Sequence, residues 1–346
     1  MTRKLSDQKV KFDYWLLFSI AVGIIIYLLP TPASLPPEGH KFLALLATLV
    51  LLFIKEVIPL PITMAAAGAM IVLLGIGSIE DVWPAFTDPV VFFVIGCLML
   101  ANIADQVGLT GRLGKVLLVN CGNNIVRYSF FACMMFGIAT AFMHDVSAVT
   151  LGLVSLLPLM RAAEIKPGSN TGKFLVISMA FCCSVGGMGT LAGGGRNMVA
   201  VSFLEEFTGQ TITFWEWMVH ALPPAIIMIP IVWFTLYLLL RPDKNAVFPE
   251  YLVEEGMYRK PLSRDEKWTL MIVTIVFISF LTNSIHGIHY SVFTILAVFL
   301  LSALKIVDWD KLNNEVAWSV AILIFGGGIA IGRAMDYTGA ARFLAD

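Results

Sequence analysis

The sequence has 346 residues, of which 58% are hydrophobic and only 14% charged, whereas a soluble domain carries roughly 45–50% apolar and about 25% charged residues. An ordinary soluble enzyme is thereby excluded. With 23 Lys and Arg against 24 Asp and Glu, no basic surplus is left to hold a phosphate backbone, and no nucleic-acid partner is expected.

In chain order, residues 1–13 carry Arg3, Lys4, Lys9 and Lys11 ahead of an apolar run that passes from Tyr14 to Leu29 and stops at Pro30. No small-residue cleavage site ends that run, so it reads as a retained first span and not as a signal peptide. Apolar blocks place spans at 14–30, 41–55, 60–78, 89–108, 172–190, 218–240, 268–285, 289–305 and 317–337, each able at about 1.5 Å per residue to cross much or all of a hydrocarbon core of about 30 Å. The expected fold is an all-α polytopic membrane protein lying in the lipid bilayer. The block at 128–162 is apolar but interrupted by His144, Asp145 and Ser147, and its length suits a re-entrant hairpin. The span that starts near 172 meets a glycine-rich stretch and reads as a broken helix over about 172–207. Residues 167–172, Pro-Gly-Ser-Asn-Thr-Gly, read as a solvated turn. Residues 241–267 mix both charges with Pro242, Pro249 and Pro261 and read as a cytoplasmic linker. It separates a first membrane half (14–240) from the start of a second (268–346).

Charge decides the hairpin. If 128–162 enters and returns from the cytoplasm, every Lys and Arg except Lys41, Arg196, Arg333 and Arg342 lies on the cytoplasmic side, with the N-terminus cytoplasmic. A simple crossing would set Arg161, Lys166 and Lys173 opposite Arg112, Lys115 and Arg127. Seven of the eight tryptophans fall near span ends, as interfacial anchors do, and Trp233 alone sits well inside a span. The five cysteines lack metal-type spacing and read as small core residues. His40, His220, His286 and His289 fall at span ends and read as interfacial. Asp105, Asp336 and Arg333 read as charges paired within the bundle.

An offset of 231 residues lays Gly96, Asp105 and Gly108 on Gly327, Asp336 and Gly339. The first copy runs inward and the second outward, the pattern of an inverted-repeat secondary transporter. The same offset puts a counterpart of His144 near position 375, so the second repeat reads as incomplete and the chain as truncated.

Two places set non-helical chemistry within apolar sequence, where each freed backbone group needs a partner in protein, water or an ion. At the hairpin tip, His144 and Asp145 are titratable, and Ser147 and Thr150 can donate or accept. Asp145 also suits the start of the returning helix, so capping is an equal reading of it, although an ionisable pair at membrane depth points to function. In the second place, six glycines within Ser184–Asn197 break the helix. They free carbonyls for a cation and present amides of the following helix to an anion. Arg196 is the candidate anion contact; close helix packing by the glycines and a snorkelling Arg196 form the bland alternative.

With this hairpin, the Gly-Gly-x-Gly-Thr-Leu-x-Gly-x-x-x-Asn run at 186–197, Phe214-Trp215-Glu216-Trp217-Met218 leading to Leu222-Pro223, and Phe325-Gly326-Gly327-Gly328, the chain resembles the divalent anion/sodium symporter family, transporters of dicarboxylates, citrate or sulfate. The likeness covers nearly the whole chain. In that family two Ser-Asn-Thr hairpin tips each meet a broken-helix loop, holding sodium and the substrate carboxylates between them. By position the resemblance implies a site at His144, Asp145, Val146, Gly189, Thr190, Gly193 and Asn197; with Ser147, Thr150, Gly194 and Arg196 from the residues themselves these form the candidate ion and substrate site, with sodium placed among Asp145, Ser147, Gly189 and Gly193. The resemblance also implies a small anionic substrate, a homodimer in the plasma membrane (the inner membrane of the cell), and no cofactor. Here the tip reads His-Asp-Val, and Gly194-Gly195-Arg196-Asn197 replaces a proline-containing loop; Ser169-Asn170-Thr171 lies beyond the hairpin and is not the motif. A His-Asp tip makes protons a rival to sodium as coupling ion. Two alternatives lie close by, a cation/proton antiporter with Asp145 as its exchanged carboxylate and an oxyanion permease. A metal-dependent membrane hydrolase is a more distant one, since no second histidine lies within helical reach of His144. A non-transporting structural subunit is the last.

Overall fold

The computed structural model describes residues 13–109, 112, 121, 123–244, 246–249 and 261–345. The expectations for Arg3, Lys4, Lys9, Lys11, Lys115, Arg259 and Lys260, and for residues 245 and 250–260 of the linker, lie outside the described residues. Helices account for nearly all of the regular structure, as the apolar blocks require. Six are long and apolar enough to cross a membrane: Pro37–Lys55, Ile79–Gln106, Asp145–Ala162, Asn170–Gly189, Phe214–Leu240 and Ser319–Tyr337. The chain is an all-α polytopic membrane protein.

The helices fall into two compact units, one made of the described residues up to Val91 and from Trp318 onward, the other of Phe92–Ala317. In the first unit, α1 (Tyr14–Leu28) starts where Asp13 accepts from Trp15 N at 2.9 Å, followed by α2 (Pro37–Lys55) and α3 (Leu60–Leu73). The third span is shorter than its apolar block because Gly75, at φ +63°, turns the chain. Arg333 is paired, as expected of a charge within the bundle, and its partner at 3.0 Å is Asp88; Asp336 is exposed. His40 is buried in the first turn of α2, at the span end where the sequence places it.

In the second unit the hairpin is two helices, α4 (Ile125–Thr140) and α5 (Asp145–Ala162), joined by only four residues and packed on each other. At 16 and 18 residues they span about 24 and 27 Å. Next comes α6 (Asn170–Gly186). Ser169 caps it by accepting from Gly172 N at 3.1 Å, and buried Thr171 accepts from Asp243 N at 3.0 Å. The expected solvated turn at 167–172 is therefore half helix start. After a broken stretch, α7 (Gly195–Thr208) leads to α8 (Phe214–Leu240), whose start is set by a Thr213–Glu216 capping box. Trp233, the tryptophan inside a span, gives its indole N–H to Ser129 Oγ at 3.1 Å and stacks on Tyr237, so its polar end is satisfied across helices. All five cysteines are buried and none forms a disulfide.

Helix α9 (Arg264–Leu281) begins on a Ser263–Glu266 capping box, and Glu266 also receives Nε and Nη2 of Arg112, each at 2.8 Å. The Arg112 guanidinium holds this carboxyl below its ordinary value of 4.5. A carboxylate with a lowered folded-state value contributes stability that is complete above the unfolded value and is lost as pH falls through the folded one. Glu266→Gln is therefore expected to lower the thermal midpoint at neutral pH, with the difference shrinking to nothing in acid. A difference that stays constant with pH would remove the charge from this account.

The sequence repeat has a local counterpart. Gly108 and Gly339 both take positive φ (+90° and +71°), and each N–H donates to the carbonyl of the aspartate three residues back, Asp105 or Asp336, at 2.8 Å. In both copies the Asp-x-x-Gly signature is one hydrogen-bonded helix-ending turn.

Candidate functional site

The hairpin tip is built by the way each limb stops. The Thr140 hydroxyl donates back to the Phe136 carbonyl at 2.6 Å, and α5 restarts when Ala148 N reaches the His144 carbonyl at 3.0 Å. Asp145 is the first residue of α5, where a negative charge meets the positive end of the helix. Its Oδ1 accepts from Val146 N at 2.8 Å, while the capping position itself is His144, whose side chain makes no capping bond. His144 is buried, and its Nδ1 lies 3.0 Å from Asp145 Oδ1.

The broken helix leaves α6 at Gly186. It passes through two short 3-10 turns, Gly187–Gly189 and Leu191–Gly193, extends at Gly194, and restarts at Gly195. None of the six glycines takes a positive φ. Of the two readings of these glycines, close packing holds for Gly186, Gly187, Gly189 and Gly193: a Cβ on Gly193, for example, would stand 2.5 Å from the Gly187 carbonyl oxygen. Buried Asn197 fastens the loop by donating Nδ2 to the carbonyls of Gly187 and Thr190, both at 2.7 Å.

Tip and loop meet at three points. The Thr190 hydroxyl donates to the Ala141 carbonyl. Gly195 N donates to His144 Nε2 at 3.4 Å. Arg196 Nη1 pairs with Asp145 Oδ2 at 2.5 Å, while Nη2 reaches the Ser184 carbonyl at 2.8 Å. The starts of α5 and α7 are thereby brought to one polar cluster. His144, Asp145, Thr190, Gly193, Gly194, Arg196 and Asn197 come together there. Buried Gly189 lies against Leu222, and Ser147 is buried in the first turn of α5. Val146 is exposed, and the Thr150 hydroxyl is spent on the Val146 carbonyl of its own helix, so neither enters the cluster. The Trp217 indole N–H donates to the Met188 carbonyl at 3.0 Å. An apolar cavity of about 400 Å³ adjoins the tip at Ala139, Phe142, Met143 and Ala192 and is bounded further by Phe277 and Phe280. Its walls carry no charge.

A polar cluster made by a hairpin tip and a discontinuous helix, set in apolar surroundings, defines a membrane transporter of the broken-helix class. The sequence matches the family described as the sodium:sulfate symporter transmembrane region over residues 11–346. It is 24% identical to an uncharacterized transporter of Haemophilus influenzae, covering 93% of this chain and 70% of that protein. It is also 24% identical to the sodium-dependent dicarboxylate transporter SdcS of Staphylococcus aureus, covering 99% of this chain and 71% of that one. The chain belongs to the sodium:sulfate symporter family. It is an integral multi-pass membrane protein that carries out secondary transport of a small anion, and it is not an enzyme.

Proposed function

We propose that this chain moves a small divalent anion, a dicarboxylate or sulfate, across the plasma membrane in symport with sodium, by alternating access and as a homodimer with a cytoplasmic N-terminus. The observation that carries the reading is the convergence of two helix starts, at Asp145 and at Gly195, on one polar cluster. Amide ends and positive helix poles there favour an anion. The site comprises His144, Asp145 and Ser147 with Gly189, Thr190, Gly193, Gly194, Arg196 and Asn197, and the hairpin enters and returns from the cytoplasmic face. Three of the four basic residues left on the outer side support that orientation. Lys41 is tied to the Leu74 carbonyl, Arg196 to Asp145 and Arg333 to Asp88, so they are held by protein partners. The relative that is named for its activity is sodium-dependent, which supports sodium as the coupling ion.

Uptake into proteoliposomes tests the proposal, with labelled succinate and labelled sulfate compared under inward sodium, potassium and proton gradients. Accumulation of one of them driven by sodium alone is expected. Accumulation driven by protons without sodium, or no accumulation of either anion, would overturn it.

A further inference from the structure

A cation held at a hairpin tip needs several oxygens whose lone pairs converge on it, and this tip has them in number. The carbonyls of Ala141, Ser184, Gly187, Met188 and Thr190 and the Asp145 carboxylate all lie at the junction of tip and loop. Every one of these oxygens already accepts from a protein donor. Asn197 Nδ2 serves Gly187 and Thr190, the Trp217 indole serves Met188, and the Thr190 hydroxyl serves Ala141. Arg196 serves Ser184 and Asp145 Oδ2, while Oδ1 takes the Val146 amide and faces His144 Nδ1. Each carbonyl keeps a second lone pair, but the carboxylate, the anionic ligand that this tip offers, is already taken by the Arg196 guanidinium at 2.5 Å. The Arg196 guanidinium is a full positive charge in this cluster, and its planar fork fits a carboxylate and a carbonyl together.

We infer that Arg196 is a tethered cation: its guanidinium takes the place at the hairpin tip that a sodium ion would otherwise fill, and sodium binds elsewhere in the protein. The inference rests on the reading of the chain as a sodium-coupled anion transporter, and it explains two oddities of the cluster. Asp145 would repel a divalent anion if it stood alone, and its pairing with Arg196 cancels that charge. The arginine side chain is also 48% exposed while Asp145 is 14% exposed, so the positive partner is the one left accessible to substrate. A charge bound covalently stays with the protein when the substrate leaves, so this tip contributes no sodium to the coupling count.

The test uses the purified full chain in nanodiscs and sodium alone as probe, reading the thermal midpoint in sodium against potassium chloride at equal ionic strength. Arg196→Gln opens the site and is expected to gain a sodium-specific rise of several degrees, the scale of a ligand present at about a hundred times its dissociation constant. Arg196→Gln combined with Asp145→Asn is expected to lose that gain. Asp145→Asn in the presence of Arg196 is expected to leave the sodium-minus-potassium difference as it is in the unaltered protein, which keeps the test decisive if Arg196→Gln does not fold. Loss of the unaltered protein's sodium response on Asp145→Asn, or no gained response in folded Arg196→Gln, overturns the inference. Because the readout needs no transport, it is separate from the uptake assay. A protein that fails to accumulate any anion and still gains sodium binding on Arg196→Gln refutes the transport reading alone.

Discussion

Replacing Gly186 with alanine is expected to abolish recovery of folded, monodisperse protein. A Cβ at this position would lie 1.8 Å from the Gly137 carbonyl oxygen and 2.6 Å from its carbon. Both are backbone atoms, so no rotamer change relieves the overlap. The remaining adjustment is to part α4 from α6 at the level where Cys133, Cys182 and Ile229 pack together. Overpacking a well-filled core costs about 1–3 kcal/mol and more when backbone must move, so the upper end is expected here. Close approach of small residues is also what holds helices together where lipid removes the hydrophobic drive. Gly194→Ala is the matched control. Its backbone is already extended at φ −159°, and the added carbon meets no backbone, only the Arg196 side chain, at 3.4 Å and beyond. Size-exclusion profiles and thermal midpoints of the two variants decide the matter. A Gly186→Ala protein that behaves like Gly194→Ala would show that the two helices are not held this closely.

The division between what could be read from the sequence and what could not follows a physical line. Hydropathy marks long apolar helices well, and the polar interruptions at His144 and at Ser184–Asn197 mark where helices stop, because an unpaired backbone group in lipid is costly. Pairing partners are another matter. Asp145 and Arg196 are separated by 51 residues in sequence, and residue type alone names a charge without naming its counter-charge. Arg333 shows the same limit, since Asp336 and Asp105 were nearer at hand than Asp88, which it meets. Glycine is ambiguous in a similar way: it permits positive φ and it permits contact, and in this loop only the second is used. Ser147 and Thr150 both offer a hydroxyl at the start of the returning helix, and the structure sends that of Thr150 back along its own helix.

Asn197→Ala is expected to have the largest effect on transport. The amide is the shared donor for the carbonyls of Gly187 and Thr190, and its removal leaves two acceptors without that donor in a buried loop. At about 1–3 kcal/mol for each orphaned group, the loop conformation loses about 2–6 kcal/mol, which shifts its population by a factor of about 30 to about 10⁴. Asn197→Asp is no remedy, since an ionised carboxylate donates nothing and would face two carbonyl oxygens. The loss should appear in uptake before it appears in folding, because α6 and α7 retain their own backbone bonds when the loop between them loosens. A cysteine placed at Met188, which is 42% exposed, reports the loosening as faster modification by an impermeant thiol reagent. Uptake at the unaltered rate together with unchanged modification would mean that the loop is held by the Thr190 and Trp217 contacts alone, and the place of Asn197 in the site would have to be given up.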